Sequence, residues 1–200
     1  HFYNLGARLA RVELDSTLSE PEAEVHLSGL FTGCKSQHLD QHLTLRHLAP
    51  RCLSTQRFRG ALGGNSRGIF TGKVYVAPGA SGTRAEQNNP NLILSQGARA
   101  MTRPQLEIYN DDVECSHGAT VGQLDEQRLF YLRARGLTHE VALQMLTAAF
   151  AAEVRNLLKD ISLQKSVDRA IQRTLGSGLA SSVEEWSDEA WSHVADLSFS

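Results

Sequence analysis

The sequence predicts a mainly β protein: a right-handed parallel β-helix followed by a small α-helical domain at its C-terminal side. Three observations carry this. Apolar couplets recur through the first 115 residues at a loose period of about 16. The tight hairpin turns Asn-Gly and Asp-Gly are absent. After Gly122 the apolar period changes from two to that of a helix.

The couplets are Val12/Leu14, Val25/Leu27, Leu43/Leu45, Val74/Val76, Leu92/Leu94 and Leu106/Ile108, at spacings of 13, 18, 31, 18 and 14 residues. Phe58-Arg59-Gly60 divides the longest step. Alternation puts both side chains of a couplet on one strand face. A repeat this short has no room for a helix in each unit, so each turn must bury its couplet against the turns on either side. A β-sandwich with irregular hairpins fits the spacing nearly as well, and only the missing hairpin turns favour the coil. Gly63-Gly64-Asn65-Ser66-Arg67-Gly68 lacks the Gly-Lys-Ser/Thr ending of a phosphate loop and reads as a turn between rungs.

Asp125 precedes a helical stretch through Leu129, Tyr131 and Leu132 that closes at Gly136. Thr138 is the expected N-cap of the next helix, whose apolar side reads as Val141, Leu143, Leu146, Phe150, Val154, Leu157 and Leu158. Ala148, Ala149, Ala151 and Ala152 favour it intrinsically. A third helix is expected from Ile161 to Leu175, ended by Gly176-Ser177-Gly178, and a fourth over 183–197, bearing Trp186 and Trp191. That last helix reads as packing on its own domain, or else as a docking element for another chain. The organisation expected is a β-helix core over 1–122, truncated at its N-terminal side, a helical domain over 123–176, and an acidic tail over 177–200.

Net charge is −2, with −5 on residues 177–200 and +3 on the remainder, far from a nucleic-acid-binding surface. No apolar run approaches the roughly 20 residues that cross a bilayer, and no signal-peptide pattern is present. The three cysteines are odd in number and widely spaced, which suits a reducing compartment, with Cys34 and Cys52 as inert thiols. The start at His1, followed at once by strand-forming residues, leads us to expect a piece of a longer protein.

Cys115 and His117 share a strand face if the strand begun at Val113 stays regular. A thiolate and an imidazole can both ligate iron or zinc, but a closed site needs about four ligands, and no second Cys or His pair stands nearby. Ordinary packing of a small thiol beside a hydrogen-bonded histidine is the plainer reading. Asp111 and Asp112 read as turn formers. The other histidines share no ligand spacing; His38 and His42 would make a metal face only on a helix, and their surroundings read as strand. No nucleophile elbow, zinc-protease motif or carboxylate pair at catalytic spacing occurs, so a stand-alone enzyme is not expected.

Residues 104–136 hold the strand alternation, Cys115-Ser116-His117-Gly118 and the start of a helix. With Ser66-Arg67-Gly68, Phe70-Thr71-Gly72-Lys73-Val74 and Gln87 through Ser95, they resemble the SufB/SufD family of the SUF iron–sulfur cluster assembly system. The resemblance covers roughly 60–176, with 1–59 fitting more loosely. SufB-like members place a cysteine in the segment matching Asn88–Asn91, and His-Glu-Ala-Thr where this chain has His117-Gly118-Ala119-Thr120. The resemblance is therefore to the SufD branch, and the cluster cysteine of SufB is not supplied here.

The resemblance implies a right-handed β-helix core, a non-catalytic scaffold role, pairing with SufB through the β-helix, and docking of the ATPase SufC through residues 125–176. It places His117 at the SufB interface in cluster building, as a metal ligand shared with the partner chain, with Cys115 as the weaker candidate. The iron–sulfur cluster would be held there transiently, with no tightly bound cofactor in isolation. It further implies that about half the family's usual length, including an N-terminal helical region, is missing. A homodimer is expected for the isolated fragment, and a cytoplasmic location, or plastid stroma in a photosynthetic eukaryote. A β-helix enzyme acting on polysaccharides and a purely structural homodimer are the competing readings.

Overall fold

The computed structural model describes residues 1–179, with side chains through 174. The helix expected over 183–197, with both tryptophans, lies outside the described residues.

Odd-numbered strands build one sheet and even-numbered strands the other, all parallel. The first sheet runs β1 (Phe2–Asn4), β3 (Glu24–Gly33), β5 (Leu53–Leu62), β7 (Thr83–Ile93) and β9 (Val113–Gly122). The second runs β2 (Leu9–Leu18), β4 (His38–His47), β6 (Arg67–Val76) and β8 (Arg99–Ile108). The chain alternates between sheets at every corner, which makes a solenoid of about four turns. Register is regular: Leu9 stands opposite His38, His38 opposite Arg67, and Arg67 opposite Arg99. The period of about 16 is half a turn, one strand plus its corner. Parallel coils win over hairpins, as the missing Asn-Gly and Asp-Gly turns suggested.

The core lies between the sheets. Leu27, Phe31, Leu39, Leu43, Leu45, Phe58, Leu62 and Phe70 are buried there, with the Phe58 and Phe70 ring centroids 5.3 Å apart. One corner needs a glycine outright. Gly64 has φ +61°, and a Cβ there would sit 2.5 Å from the Lys35 nitrogen of the preceding turn.

Three helices follow the last strand: α1 (Glu126–Ala134), α2 (His139–Arg155) and α3 (Ile161–Leu179). The Asp125 carboxylate accepts from the Gln127 and Arg128 backbone nitrogens, and Thr138 Oγ1 accepts from Val141. Both caps stand where the sequence put them. Gly136 takes φ +94° just beyond α1.

Two helical details differ from expectation. α3 runs through Gly176-Ser177-Gly178 to Leu179, because a helical glycine costs only about 1 kcal/mol and ends a helix only when it turns left-handed. The buried side of α2 is Ala142, Ala148, Ala151 and Ala152, with Val154, Thr147 and Gln144, while Val141, Leu143, Leu146 and Phe150 are half-buried. Small residues let the helix backbone approach the sheet. There Ala151, Val154, Leu158, Val167 and Ile171 form a second core with Leu30 and Ala61 on the outer face of the first sheet. Arg59 pairs with Glu153 and stacks 4.6 Å from the Phe150 ring centroid, tying β5 to α2.

Candidate functional site at the last edge of the coil

β9 hydrogen-bonds to β7 alone and β8 to β6 alone, so the described coil ends in two neighbouring strands with free outer edges. The turn into β9 is an Asx turn: Asn110 Oδ1 accepts from the Asp112 nitrogen at 2.9 Å, and the Asp112 carbonyl accepts from Gly82 at 2.7 Å. That bond sets the register, Thr83 opposite Val113 through Leu92 opposite Gly122.

The same register puts Cys115 opposite Ala85 and His117 opposite Gln87. Val113, Cys115 and His117 share the face turned to the inside of the coil. Cys115 is half-buried against Val74, Val76, Ala80 and Ala85. Burial pushes its thiol pKa above the ordinary value, opposed in part by a backbone hydrogen bond with Ala85. That direction favours the protonated thiol, whereas the thiolate is the form that ligates metals. His117 is exposed, and among the described residues no further strand covers the end of its row. One edge strand thus presents an accessible imidazole beside a sheltered thiol.

Other candidates do not converge on this place. Asp111 and Asp112 sit exposed in the turn before β9. His38 and His42 lie on β4, in strand as expected, and His42 Nε2 is 2.8 Å from Asp40 Oδ1, whose other oxygen takes Arg11. His47 is buried against the Ser54 hydroxyl, and burial lowers its pKa. Cys34 and Cys52 are buried and free. Among the described residues, no three His, Cys, Asp or Glu side chains cluster closely enough to hold a metal ion. No described helix is long and apolar enough to cross a membrane.

Sequence reasoning missed the amides beneath His117. Gln56 and Gln87 are fully buried between the sheets, in one row with His117. Gln87 opens the Gln87–Ser95 motif, but a glutamine in a strand ordinarily reads as solvent-facing.

Residues 1–150 match the family model for the SUF system FeS cluster assembly, SufBD core domain. The chain is 36% identical over 178 residues to the iron–sulfur cluster assembly protein SufD of Escherichia coli, covering 89% of this chain and 42% of that protein. It is 38% identical over 161 residues to an iron–sulfur cluster assembly SufBD family protein of Synechocystis, covering 80% and 36%. It is 33% identical over 150 residues to the protein ABCI7, chloroplastic, of Arabidopsis thaliana, covering 74% and 32%. The chain spans less than half the length of each. The match takes in residues 1–59, which the sequence motifs fitted only loosely.

Proposed function

This chain belongs to the SufB/SufD family, and on that premise we propose that it is part of a non-catalytic scaffold for iron–sulfur cluster assembly, similar to SufD. The free edges of β8 and β9 would join the corresponding edge of a SufB-type partner by strand addition, because unpaired backbone groups at a parallel edge template another strand. His117 would then face the partner across the seam and, with partner ligands, hold the cluster as it is built. Cys115 stands beside it in a lesser role. Where no such partner is present, the same edge would pair with a second copy. Helices α1–α3 would dock a SufC-type ATPase.

One observation carries this reading: the imidazole of the Cys-x-His pair is exposed on the last described strand of the coil, at the end of an interior row that no described strand covers. A side chain there is open to a partner without rearrangement. The polysaccharide-enzyme reading lacks support of this kind. The outer-face carboxylates Asp40, Glu86, Glu107 and Glu114 are paired with Arg11, Arg57, Lys73 and Arg84, rather than stacked as free acids along a groove.

The test is His117→Ala in the full-length protein, co-expressed with SufB- and SufC-type partners. Loss of cluster formation with the complex still assembled supports the reading. Normal cluster yield overturns it.

A further inference from the structure

Gln87 is 1% exposed and lies inside the coil one strand below His117, its Cα partner on β9. Its Nε2 donates to Gln56 Oε1 at 3.0 Å, while its own Oε1 is buried with no hydrogen-bond partner. The row through these residues is Leu27, Gln56, Gln87 and His117. It is apolar at one end and opens at His117.

The amide lies against Gly72 of the opposite sheet. A Cβ on Gly72 would come within 1.9 Å of Gln87 Nε2 and 2.8 Å of its Cδ, so any larger residue at this β6 position displaces the amide from where it now lies.

We infer that Gln87 is a positioning residue for His117, its Oε1 accepting the imidazole N–H and leaving the other ring nitrogen, with its lone pair, facing outward. The inference rests on the role proposed above for His117. A buried carbonyl oxygen calls for a donor. The structure shows no bond between the two side chains, but the imidazole is the neighbour in register on the same face, where side chains of paired strands come within reach of one another. A neutral imidazole has one N–H and one lone pair, so a bond at one nitrogen decides what the other offers. Histidines that bind metals ordinarily give their second N–H to a carboxylate, a backbone carbonyl or water, which fixes the ring and raises its basicity, and an amide oxygen is an acceptor of the same kind. The amide row thus prepares His117 to accept iron or to receive a proton from a cluster thiol. Gln87 touches neither cargo nor partner.

The test uses the full-length protein with 15N-labelled histidine, read by long-range 1H–15N NMR at a fixed pH where the ring is neutral. The His117 signals are assigned by their loss in His117→Ala. In the wild type, a single tautomer is expected. Gln87→Leu, which removes the acceptor at similar volume, and Gly72→Ala, which displaces the amide without touching β9, should both return His117 to the mixed tautomers of a free imidazole. Gln87→Glu, which keeps an acceptor oxygen, should retain the single tautomer. Mixed tautomers in the wild type, or an unchanged single tautomer in Gln87→Leu, overturn the inference. Cluster yield in the complex is measured in parallel, with Gln87→Leu expected to lose about 10–100-fold. If His117→Ala leaves cluster yield normal while Gln87→Leu still mixes the tautomers, the assembly role fails and the positioning stands. If His117→Ala abolishes clusters while Gln87→Leu leaves the tautomer fixed, the reverse holds.

Discussion

Tyr3, in the first strand, donates its hydroxyl to the Val154 carbonyl in α2 at 2.9 Å, closing a contact across 151 residues. Thr174 in α3 makes a parallel tie to the Leu5 carbonyl at 2.8 Å. Helices α2 and α3 are therefore fastened beside the first strand, along the outer face of the odd-strand sheet.

The Tyr3 bond has a pH signature. Burial, chiefly, raises its phenol pKa from 10.0 to about 12, with Arg155 opposing and Asp168 adding. A pKa raised in the folded state gives stability that is complete below the unfolded value and is lost as pH climbs through the folded one. Wild-type stability should therefore fall between pH 10 and 12 more steeply than that of Tyr3→Phe. At neutral pH the phenylalanine variant should lose about 1 kcal/mol. Urea unfolding across this range measures both.

Arg155 Nε lies 3.1 Å from Asp168 Oδ1 between α2 and α3, with side chains only 9% and 15% exposed. Arg155 Nη1 also donates to Gln164 Oε1 at 3.2 Å. Burial raises the Asp168 pKa, and the Arg155 charge opposes that rise. Arg155→Leu should therefore cost about 3 kcal/mol at pH 7, where it leaves a buried carboxylate uncompensated. The cost should shrink as pH falls toward 5, because Asp168 can then take up a proton. A cost independent of pH would show that the charge of Asp168 plays no part.

Cys115 should behave as a sheltered, protonated thiol, since burial raises its pKa. Alkylation by iodoacetamide at pH 7.5, followed by peptide mass spectrometry, should be slower at Cys115 than in a free cysteine peptide, and should accelerate as pH rises through 9 and above. In cluster assembly, Cys115→Ser should cost less than His117→Ala. Equal losses would promote the thiol to a ligand.

Removing residues 125–176 to test ATPase docking would also uncover Leu30 and Ala61, which α2 and α3 bury. Point changes on α1 avoid this, because Phe130 is 73% and Tyr131 58% exposed. Phe130→Ala with Tyr131→Ala should weaken binding of the SufC-type partner by about 2 kcal/mol and leave the melting temperature unchanged. Calorimetric titration and thermal unfolding separate these outcomes.

Much of this arrangement is local and therefore legible in the residues. Each apolar couplet falls on a separate strand, apart from Leu94, which lies just beyond β7. Asp125 and Thr138 cap their helices because a short side-chain oxygen reaches backbone nitrogens two or three residues ahead without help from the rest of the fold. Cys115 and His117 share a face because a regular strand alternates. The alanine side of α2 was not legible: its burial depends on a sheet assembled from distant turns, and the larger residues of that helix advertised themselves more strongly. Leu30 and Ala61 escaped for a related reason, since strands buried on both faces show no alternation.

The sequence by itself determined a coil of short strands, its change to helix after Gly122 and the spacing of the Cys-x-His pair, because strand alternation and capping act within a few residues. Only the tertiary structure decided that β9 is an edge strand among the described residues, that α2 and α3 lie along one sheet, and that Gln56 and Gln87 form a buried row ending at His117. Those facts depend on which residues lie opposite one another about 30 positions apart. Changing a register by a single residue would turn the same side chains to the other face.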